Sequence, residues 1–353
     1  MNKISIIIAK NELDEDHLPW VNACKAINQK IDFLLVDITK DNWFDRIIST
    51  PCDLILTKPS GLTSHFKQLY DERIYILDKL GYKLYPSAEE IFIYENKRFL
   101  SFWLKAHDVP HPATHVFYSK HEAEDFLKTT GYPVVAKVNI GASGSGVTIL
   151  KSKDTALEYI HNVFSGRGAI QRSGPNLGKG GLIRRGFHYI LYPGDIRKKL
   201  LIYKTKRSNL QKGFVILQEY IPHDFEWRVV RIGESFFAHK KLKKGEKTSG
   251  SLIKGYENPP LKLLDFVREI TNKHKFYSQA VDIFEDKQRG YLVNEMQCIF
   301  GQSDPYQMLV DGKPGRYKWL YNKWVFEAGD FARNACYDLR LDYIISEVFN
   351  NKL

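Results

Sequence analysis

The first 85 residues alternate short apolar segments with segments of helical periodicity, and this alternation constrains the fold more than any other feature. The apolar segments are typical of buried strands, at about Ile4–Ala9, Phe33–Ile38 and Asp53–Leu56. The helical patterns lie at about His17–Gln29, Asn42–Ile48 and Thr63–Leu80. This order predicts a small parallel sheet with helical crossovers. No G-x-G-x-x-G motif follows the first strand, so the sequence does not indicate a dinucleotide site.

The rest of the chain predicts a mixed fold in three parts. One helix is predicted over Ala88–His107, and the prolines Pro110 and Pro112 after it indicate a domain boundary. The next patterns predict, in order, a strand Thr114–Tyr118, a helix Lys120–Thr130, strands Val134–Val138 and Val147–Leu150, and a helix Lys153–Phe164. Later patterns predict strands Val215–Glu219, Trp227–Ile232 and Ser235–Lys241, a helix Leu261–Lys273, a hairpin and a long helical region rich in aromatics. We therefore expect α/β and α+β domains over residues 1–107, 108–212 and 213–353.

The composition favours a folded protein of a reducing compartment. Hydrophobic residues make up 43% and aromatic residues 13% of the 353 residues, which excludes a disordered chain. The apolar run before Lys10 is too short for a signal-peptide core or a bilayer span, so we expect no transmembrane segment. Four scattered cysteines show neither zinc-site nor redox spacing. We expect a cytoplasmic protein without disulfides.

An acidic hairpin is the first candidate site. The segment V-D-I-F-E-D-K-Q-R-G-Y-L-V-N-E-M-Q predicts strands at Gln279–Phe284 and Gly290–Gln297 joined by a polar turn. Alternate residues of a strand face the same way, so Glu295 and Gln297 share a face that Asp282 can reach from the neighbouring strand. Three oxygen ligands on one face suit Mg²⁺. A strand with an exposed polar face is the commoner structure, and for the isolated segment both interpretations stay open.

A glycine-rich loop runs from Gly141 to Gly146 and follows a strand that contains Lys137. Such loops cradle phosphates because their free backbone amides approach oxygens closely. A strand, V-T-I-L, follows instead of a helix, so the loop is a hairpin tip rather than a P-loop. Taken alone, it could be an ordinary turn. Lys137, however, lies in the apolar strand P-V-V-A-K, where a buried cation needs an anion such as phosphate.

The segment Q-E-Y-I-P-H-D-F-E-W-R is a candidate nucleotide hinge. Its acids Glu219 and Glu226 lie seven residues apart, with a proline bend at Pro222 between them. The backbone at the end of a strand can bind an adenine edge, and an acid further on can accept hydrogen bonds from ribose hydroxyls. Either acid alone could equally be a surface charge.

The order of these motifs resembles the ATP-grasp superfamily. Lys97, Lys137, the Gly/Ser hairpin, Q-E-Y-I, E-W-R, Asp282 and Glu295-x-Gln297 follow one another as in its glutathione-synthetase-like branch, which includes D-alanine–D-alanine ligases and RimK-type ligases. The resemblance covers about Tyr85 to Gly301. It implies an ATP-grasp fold with an N-terminal βαβ (pre-ATP-grasp) domain, a central lid lobe and a C-terminal lobe.

The resemblance also implies roles for individual residues. Lys97 and Lys137 would contact ATP phosphates, and the hairpin would close over them through Gly141, Ser143, Gly144, Ser145 and Gly146. The adenine hinge would be Glu219, Tyr220 and Ile221, and the ribose would bind to Glu226. The metal ligands, for one or two Mg²⁺ with Mn²⁺ as a possible substitute, would be Asp282, Glu295 and Gln297. The family usually has Asn where Gln297 stands, so a Gln ligand would reach about one methylene further. The basic catalytic residues would be Arg228 and either Lys240 or Lys241, although the two lysines could equally belong to a solvated basic turn.

The implied reaction joins a carboxylate to an amine with ATP and forms ADP. Phosphorylation of the carboxylate gives an acylphosphate that the amine attacks, so positioning and charge neutralisation dominate over acid–base chemistry. None of the eleven histidines shows metal-ligand spacing. Two alternatives remain open: a nucleic-acid-binding or regulatory protein on a degenerate ATP-grasp scaffold, and phosphoryl transfer without ligation.

The excess positive charge is confined to residues 166–212. This basic segment holds twelve Lys or Arg and a single acid, Asp195, whereas the remaining chain is neutral. It predicts an anionic partner, such as an acidic polysaccharide, a lipid-linked glycan phosphate, an acidic peptide or RNA. The alternative is a solvated lid whose charges serve only ATP and the acylphosphate. The aromatic stretch Y-K-W-L-Y-N-K-W-V-F could pack inside the protein or form an oligomer interface.

Overall fold

A computed structural model describes residues 3–11, 17–27, 31–61, 63–141, 146–169, 193–244, 247–248, 253–302 and 304–350. Three sheets organise this part of the chain. The predicted mixture of α/β and α+β architecture is confirmed.

The first sheet is parallel throughout, as predicted. Its strands are β1 (Ile4–Lys10), β2 (Ile31–Asp37), β3 (Leu54–Thr57) and β4 (Leu84–Tyr85), in the order β2-β1-β3-β4. The connecting helices are α1 (Leu18–Ala26), α2 (Trp43–Ile48) and α3 (Ser64–Lys79). Ile7, Ile8 and Leu56 are fully buried, because helices cover the sheet and its strands are continuous apolar runs.

The single helix predicted over residues 88–107 is wrong, because the chain forms two helices there. They are α4 (Ala88–Ile93) and α5 (Lys97–Ala106). Glu95 lies between them in the left-handed region with φ of 49°, which interrupts the helical backbone. The Asn96 side chain then caps α5 by accepting a hydrogen bond from the Phe99 amide. This break makes Lys97 the first residue of α5.

The middle sheet is antiparallel and contains the predicted glycine hairpin. Its strands are β5 (Thr114–Phe117), β6 (Val134–Lys137), β7 (Val147–Leu150) and β8 (Val215–Glu219), in the order β5-β8-β6-β7. Helices α6 (Lys120–Thr129) and α7 (Lys153–Phe164) bury Leu127 and Ile160 against this sheet. A further helix, α8 (Pro193–Ser208), lies within the basic segment. Because β8 pairs with β5 and β6, we propose that the middle domain extends to Glu219 rather than to residue 212.

The C-terminal sheet is the largest and is antiparallel. Its main strands are β9 (Phe225–Ile232), β10 (Ser235–Lys244), β13 (Ser278–Asp286), β14 (Gly290–Gln297), β15 (Leu309–Val310) and β16 (Lys313–Leu320). They lie side by side in the order β14-β13-β9-β10-β16-β15. The short strands β11 (Lys247–Thr248) and β12 (Lys254–Gly255) pair with β10, and β17 (Lys323–Ala328) pairs with β16. Helix α9 (Leu261–Lys273) buries Leu263, Leu264 and Val267 against one face of this sheet. The opposite face of its central strands carries polar side chains at one end and a second apolar cluster, with Val230, Phe237 and Ala280, at the other.

The helical region predicted after the acidic hairpin is wrong for residues 309–328, which form β15 to β17. Tyr321 and Asn322 both have positive φ, of 52° and 58°, as a tight hairpin turn between β16 and β17 requires. Trp319 then lies directly opposite Trp324, with ring centroids 5.3 Å apart. The aromatic residues therefore stabilise a hairpin through cross-strand pairs.

The chain ends with a 3₁₀ turn (Arg333–Cys336) and helix α10 (Tyr337–Asn350), which return to the first sheet. Leu341 and Ile344 belong to the same hydrophobic core as Ile8. The Asn334 amide also donates a hydrogen bond of 2.8 Å to the Pro19 carbonyl. The last helix thus completes the N-terminal core.

The cysteines are not cross-linked, and Cys24, Cys298 and Cys336 are buried free thiols. Burial raises the pKa of Cys24 to about 12 and that of Cys336 to about 11, so both stay protonated. In the described part of the chain, no helix has the length and apolar character needed to cross a membrane.

Candidate active site

A row of charged side chains crosses the polar face of the C-terminal sheet. Asp282 on β13 lies directly between Arg228 on β9 and Glu295 on β14 in the strand register. Glu226 precedes Arg228 by two residues, so it faces the same way. Lys241 on β10 lies opposite Glu226. Strand alternation and antiparallel register therefore gather four of the predicted site residues around Asp282.

Asp282 is held by two cations. Arg228 donates to its two carboxylate oxygens at 2.7 and 2.8 Å, and the Lys241 Nζ donates to Oδ2 at 2.6 Å. Burial, which leaves Asp282 1% exposed, raises its pKa, but the two cations outweigh this effect and hold the pKa far below its usual range. Asp282 is thus a buried, permanently ionised carboxylate.

Lys241 links this carboxylate to the predicted ribose acid. Its Nζ also donates to Glu226 Oε2 at 2.7 Å. Burial lowers the pKa of Lys241, but the carboxylates of Asp282 and Glu226 more than compensate and raise it above its ordinary value. The buried ammonium therefore stays charged because two carboxylates share it.

Lys240, the neighbouring candidate, lies on the opposite face of β10. Its Nζ pairs with Glu257 and stands 4.1 Å from the centre of the Phe225 ring. Successive residues of a strand point to opposite faces, so only one of the two lysines can reach Asp282. The structure brings Lys241 to the charged row and leaves Lys240 away from it.

Two further lysines reach the row from other elements. Lys97, from the start of α5, lies 3.4 Å from Glu295 Oε1 and 3.5 Å from Glu95 Oε2, and it donates to the Gly141 carbonyl at 3.0 Å. Burial opposes its charge, but these two carboxylates raise its pKa. Lys97 therefore joins the linker helix both to the metal-ligand candidate and to the glycine hairpin.

Lys137 approaches from the middle sheet. It is 7% exposed and donates to Asn294 Oδ1 at 2.7 Å. Burial lowers its pKa to about 8; the neighbouring Lys97 and Lys241 lower it further, and Glu295 and Glu226 only partly oppose the shift. It is the buried lysine of this group that an incoming phosphate would stabilise most.

Asn294 and Glu95 are site residues that the sequence did not predict. The pairing of β13 with β14 shifts register between Asp282 and Ile283, so Asn294 is an extra residue in a β-bulge. The bulge lets Asn294 reach Lys137 and, at 3.4 Å, Glu226, although its neighbour Glu295 also faces the site. No sequence pattern signals this bulge.

Glu95 reaches the site because it lies at the break between α4 and α5. It is 3% exposed, and burial together with the nearby Glu295 raises its pKa. The Gln297 amide donates to Glu95 at 3.1 Å and to Glu295 at 3.2 Å, which bridges the two acids. Burial also raises the pKa of Glu295, but the cations Lys97, Lys241 and Lys137 lower it below its ordinary value. The Y-E-N-K sequence, with Asn as a helix cap, is the one signal that could have found Glu95.

The predicted hinge lies at the end of β8. Glu219 pairs with Arg289 and accepts a hydrogen bond of 2.9 Å from the Ala113 amide, while Tyr220 follows at the surface-accessible end of the strand. Ile221 forms a small apolar cluster of its own with Phe284 and Leu292. The Ile221 carbonyl contacts His223 Nδ1 at 2.7 Å. The hinge therefore packs on a buried apolar cluster beside the charged row.

The glycine hairpin is only partly described. Ser143, Gly144 and Ser145 lie outside the described residues, whereas Gly141 and Gly146 lie within them. Gly146 pairs with Val138, and a Cβ at this glycine would lie 1.8 Å from Val138 Cγ2. Gly146 is therefore required where the two strands meet.

Oxygen ligands for a hard cation are available in this row. Asp282 and Glu295 are ionised carboxylates on adjacent strands, and Gln297 lies two residues after Glu295 on the same face. A carboxylate has more lone pairs than Arg228 and Lys241 occupy at Asp282. The donor set fits Mg²⁺, which prefers oxygen ligands and shares its shell with phosphates.

The chain is also similar to known proteins in sequence. No protein-family model matches the chain. The alpha-aminoadipate–LysW ligase LysX of Saccharolobus solfataricus is 24% identical over 262 residues, which cover 72% of this chain and 78% of that protein.

Solved structures give the same result for the fold. A D-alanine–D-alanine ligase from Bacillus anthracis complexed with ATP matches with a TM-score of 0.54 and 14% identity, covering 98% of both chains. A RimK domain ATP-grasp protein from Sphaerobacter thermophilus matches with a TM-score of 0.51 and 15% identity, covering 83% of this chain and 90% of that one. The resemblance inferred from the motifs is confirmed for the fold, because this chain has the fold of these ATP-grasp structures.

Proposed function

We propose that this chain is an ATP- and Mg²⁺-dependent, ADP-forming ligase that joins a carboxylate to an amine through an acylphosphate. One observation carries the proposal: lysines from three separate elements meet at the neighbouring carboxylates Asp282 and Glu295. Lys97 lies 3.4 Å from Glu295, Lys241 donates to Asp282, and Lys137 donates to Asn294, the residue before Glu295. A purely structural site does not need three lysines so far withdrawn from solvent, because burial of each cation is costly. Bound triphosphate would give all three a common partner.

The lysines and the acids would bind different parts of the ATP–metal complex. Lys97, Lys137 and Lys241 would bind the phosphates, and the glycine hairpin would cover them. Asp282 and Glu295, with the Gln297 oxygen, would hold Mg²⁺ or Mn²⁺. The metal, when bound, supplies charge neutralisation at the transferred phosphate. The side chains that hold it are ionised in advance, so no proton has to leave them.

The hinge residues suit an adenine nucleotide. Ile221, Phe284 and Leu292 form an apolar cluster at the hinge, and a base would pack well against apolar side chains. The backbone of Glu219 to Ile221 would bind the adenine edge, and Tyr220 lies within this stretch. Glu226 would accept hydrogen bonds from the ribose. The proposed hinge at the end of β8 and the proposed ribose acid on β9 are consecutive along the chain.

An acylphosphate step explains why this site holds cations rather than an acid–base pair. A carboxylate resists attack because it is already negative, and phosphorylation replaces its charge with a good leaving group. Arg228 and Lys241 lie where they can stabilise the negative charge of the transferred phosphate and of the substrate carboxylate. The amine then attacks the carbonyl carbon and phosphate leaves.

The substrates are proposed by class. Two of the similar proteins, the alpha-aminoadipate–LysW ligase and the D-alanine–D-alanine ligase, are named for amino acids. We propose an amino acid as one substrate and an anionic acceptor as the other. The basic segment supports the acceptor class through its charge alone, since residues 170–192 lie outside the described residues.

The first prediction tests the reaction class by ADP release. We expect ADP and a covalent product only when a carboxylate and an amine are both supplied, from panels of amino acids, uronic acids and acidic peptides. The substitution Glu295→Gln should lower turnover at least about 100-fold, because it removes a metal-binding charge. Gln297→Asn should preserve or raise activity.

The product pattern separates the alternatives. ADP without a covalent product would indicate phosphoryl transfer alone, and no ATP turnover with any acceptor would favour a regulatory scaffold. An active Glu295→Gln enzyme would contradict the proposed metal site. Mass spectrometry identifies the product in each case.

The second prediction uses two adjacent lysines as a matched pair. Lys241→Ala should lower kcat at least about 100-fold, because it leaves Asp282 and Glu226 without the cation that they share. Lys240→Ala should change kcat less than about threefold, since its ammonium pairs with Glu257 on the other face. Equal losses in both variants would mean that β10 does not present Lys241 to the phosphates. Circular dichroism verifies that both variants fold.

The third prediction concerns pH. Because burial lowers the pKa of Lys137 to about 8, this lysine is charged below that pH and loses its proton above it. The Kd for ATP, measured by calorimetry, should be constant between pH 6.5 and 7.5. Above pH 8 the Kd should rise, because the affinity for ATP falls by up to about tenfold per pH unit. Lys97 and Lys241 have raised pKa values and stay charged over this range.

Lys137→Arg is the control, because a guanidinium keeps its charge throughout. Its Kd should be independent of pH up to 9.5, whatever its absolute value. A pH profile identical to that of the wild-type protein would assign the dependence to another group.

The fourth prediction tests the basic segment. Reversing its exposed charges with Arg167→Glu, Lys204→Glu and Lys212→Glu should raise the KM for an anionic acceptor roughly tenfold or more, with little change in ATP affinity. The control reverses three exposed lysines elsewhere, Lys25, Lys262 and Lys313, and should change either constant less than about twofold. An unchanged acceptor KM in the first variant would show that these charges do not bind the acceptor.

A further inference from the structure

Three potential metal ligands meet away from the active site. Glu89 on α4, His107 at the end of α5 and His274 at the end of α9 each offer one ligand atom, and these atoms lie within 4.8 Å of one another. They are separated by up to 185 residues in sequence, so no spacing motif indicates them. Lys97, which begins α5, is at the other end of this ten-residue helix, about 15 Å away. The cluster is therefore distinct from the nucleotide site.

The two histidines have the same backbone setting. Each is the C-cap of its helix and is followed by a left-handed residue, Asp108 or Lys275, both with φ of 55°. In both helices the next amide, of Val109 or Phe276, donates back to a carbonyl five residues earlier. These are Schellman motifs, which fix the direction of the chain as it leaves a helix. The motifs fix the backbone from which both imidazoles project.

The side chains are also oriented by their neighbours. Trp103 Nε1 donates to Glu89 Oε1 at 2.5 Å, which fixes the carboxylate and leaves its second oxygen for another partner. The ring centroids of His107 and His274 are 4.3 Å apart, and each ring packs against Trp103. A hydrogen-bonded carboxylate and packed imidazoles are what metal ligands require from their surroundings.

The electrostatics favour a cation. The Nε2 atom of His274 is buried and has no hydrogen-bond partner, so a ring nitrogen capable of ligation is desolvated and unused. Burial, and next the neighbouring His107, lower the pKa of His274, which keeps this imidazole neutral at pH 7. Helices α5 and α9 both end here, and helix C-termini carry partial negative charge. The cluster thus combines one carboxylate, two imidazoles and two helix C-termini in one small volume. Lys273 is the nearby cation that also lowers the pKa of His274.

We propose that Glu89, His107 and His274 bind a divalent transition-metal ion of the Zn²⁺ type, with a fourth position open to water. Two imidazoles and a carboxylate are a ligand set that Zn²⁺ uses, whereas Mg²⁺ prefers oxygen ligands alone. Ligands at about 2.1 Å around one ion lie about 3.4 Å apart, so rotations of the three side chains close the cluster without backbone movement.

Such an ion would fasten three elements together. Helices α4 and α5 connect the first sheet to the nucleotide site, and α9 covers the C-terminal sheet. A metal bridging them would restrain α5, whose first residue is Lys97. The site would therefore stabilise the position of a phosphate-binding lysine without contacting the nucleotide.

Cobalt binding to the intact, tag-free protein tests the proposal. After chelator treatment, Co²⁺ is titrated in millimolar Mg²⁺, which saturates the oxygen-rich active site. We expect one Co²⁺ per chain with the visible absorption of a four- or five-coordinate ion, displaced by Zn²⁺. His107→Ala and His274→Ala should each weaken binding by roughly 100-fold or more, since even the loss of an outer partner costs 10- to 100-fold.

His121→Ala is the matched control, because His121 is exposed and lies on α6, outside the cluster; it should bind Co²⁺ as the wild-type protein does. No binding to the wild-type protein at 100 µM Co²⁺, roughly the weakest affinity expected of a built site, would overturn the proposal. Equal binding by all variants would also overturn it. If a histidine variant fails to fold, X-ray absorption of the Zn²⁺-loaded wild-type protein decides: two imidazole ligands support the site, and an all-oxygen shell refutes it.

Discussion

The buried carboxylate of Asp282, held between Arg228 and Lys241, is the interaction on which the rest of the site depends. An uncompensated charge at this depth would cost several kcal/mol, so the two cations must meet it with good geometry. That requirement ties β9, β10 and β13 into one register. A slip of a single residue would turn Arg228 or Lys241 to the opposite face and leave the carboxylate unpaired. The fold and the chemistry therefore depend on the same register.

Three of the four cations of the site already have carboxylate partners. Lys97, Lys241 and Arg228 have carboxylate partners, whereas Lys137 relies on a neutral amide. In the proposed complex, the phosphates of ATP would pair with the lysines, and the divalent cation bound to them would pair with the acids. The proposed chemistry therefore exchanges partners among groups that are already in place, which lowers the cost of reorganisation.

Much of this arrangement follows from the sequence, and the exceptions have physical causes. The strand Val147–Leu150 and the helices Lys153–Phe164 and Leu261–Lys273 have their predicted bounds, because periodicity and flanking turn residues determine them locally. The choice between Lys240 and Lys241 could not be made, since alternation along a strand says that two neighbours differ in face but not which face is inward. The direction depends on α9, which is distant in sequence and covers the other side of the sheet.

The residues missed by the sequence share another cause. Asn294 faces the site because of a bulge, and a bulge is a property of two paired strands rather than of one. Tyr321 and Asn322 adopt the left-handed region in a hairpin turn without the usual glycine, so the aromatic strands around them resembled a helix. In both cases a tertiary contact selects a backbone conformation that local preference does not.

Gln297 connects Glu95, which the sequence did not predict, to the proposed metal site. Its amide nitrogen bridges Glu95 and Glu295, two acids that would otherwise repel, and the extra methylene relative to Asn gives it the reach to do so. Burial and the charge of Glu295 raise the pKa of Glu95, whereas Lys97 lowers it. To ligate a cation, the amide must rotate and present its oxygen, which releases Glu95. Gln297 and Glu95 therefore form one unit, and the left-handed turn that buries Glu95 is what makes a glutamine workable at this position.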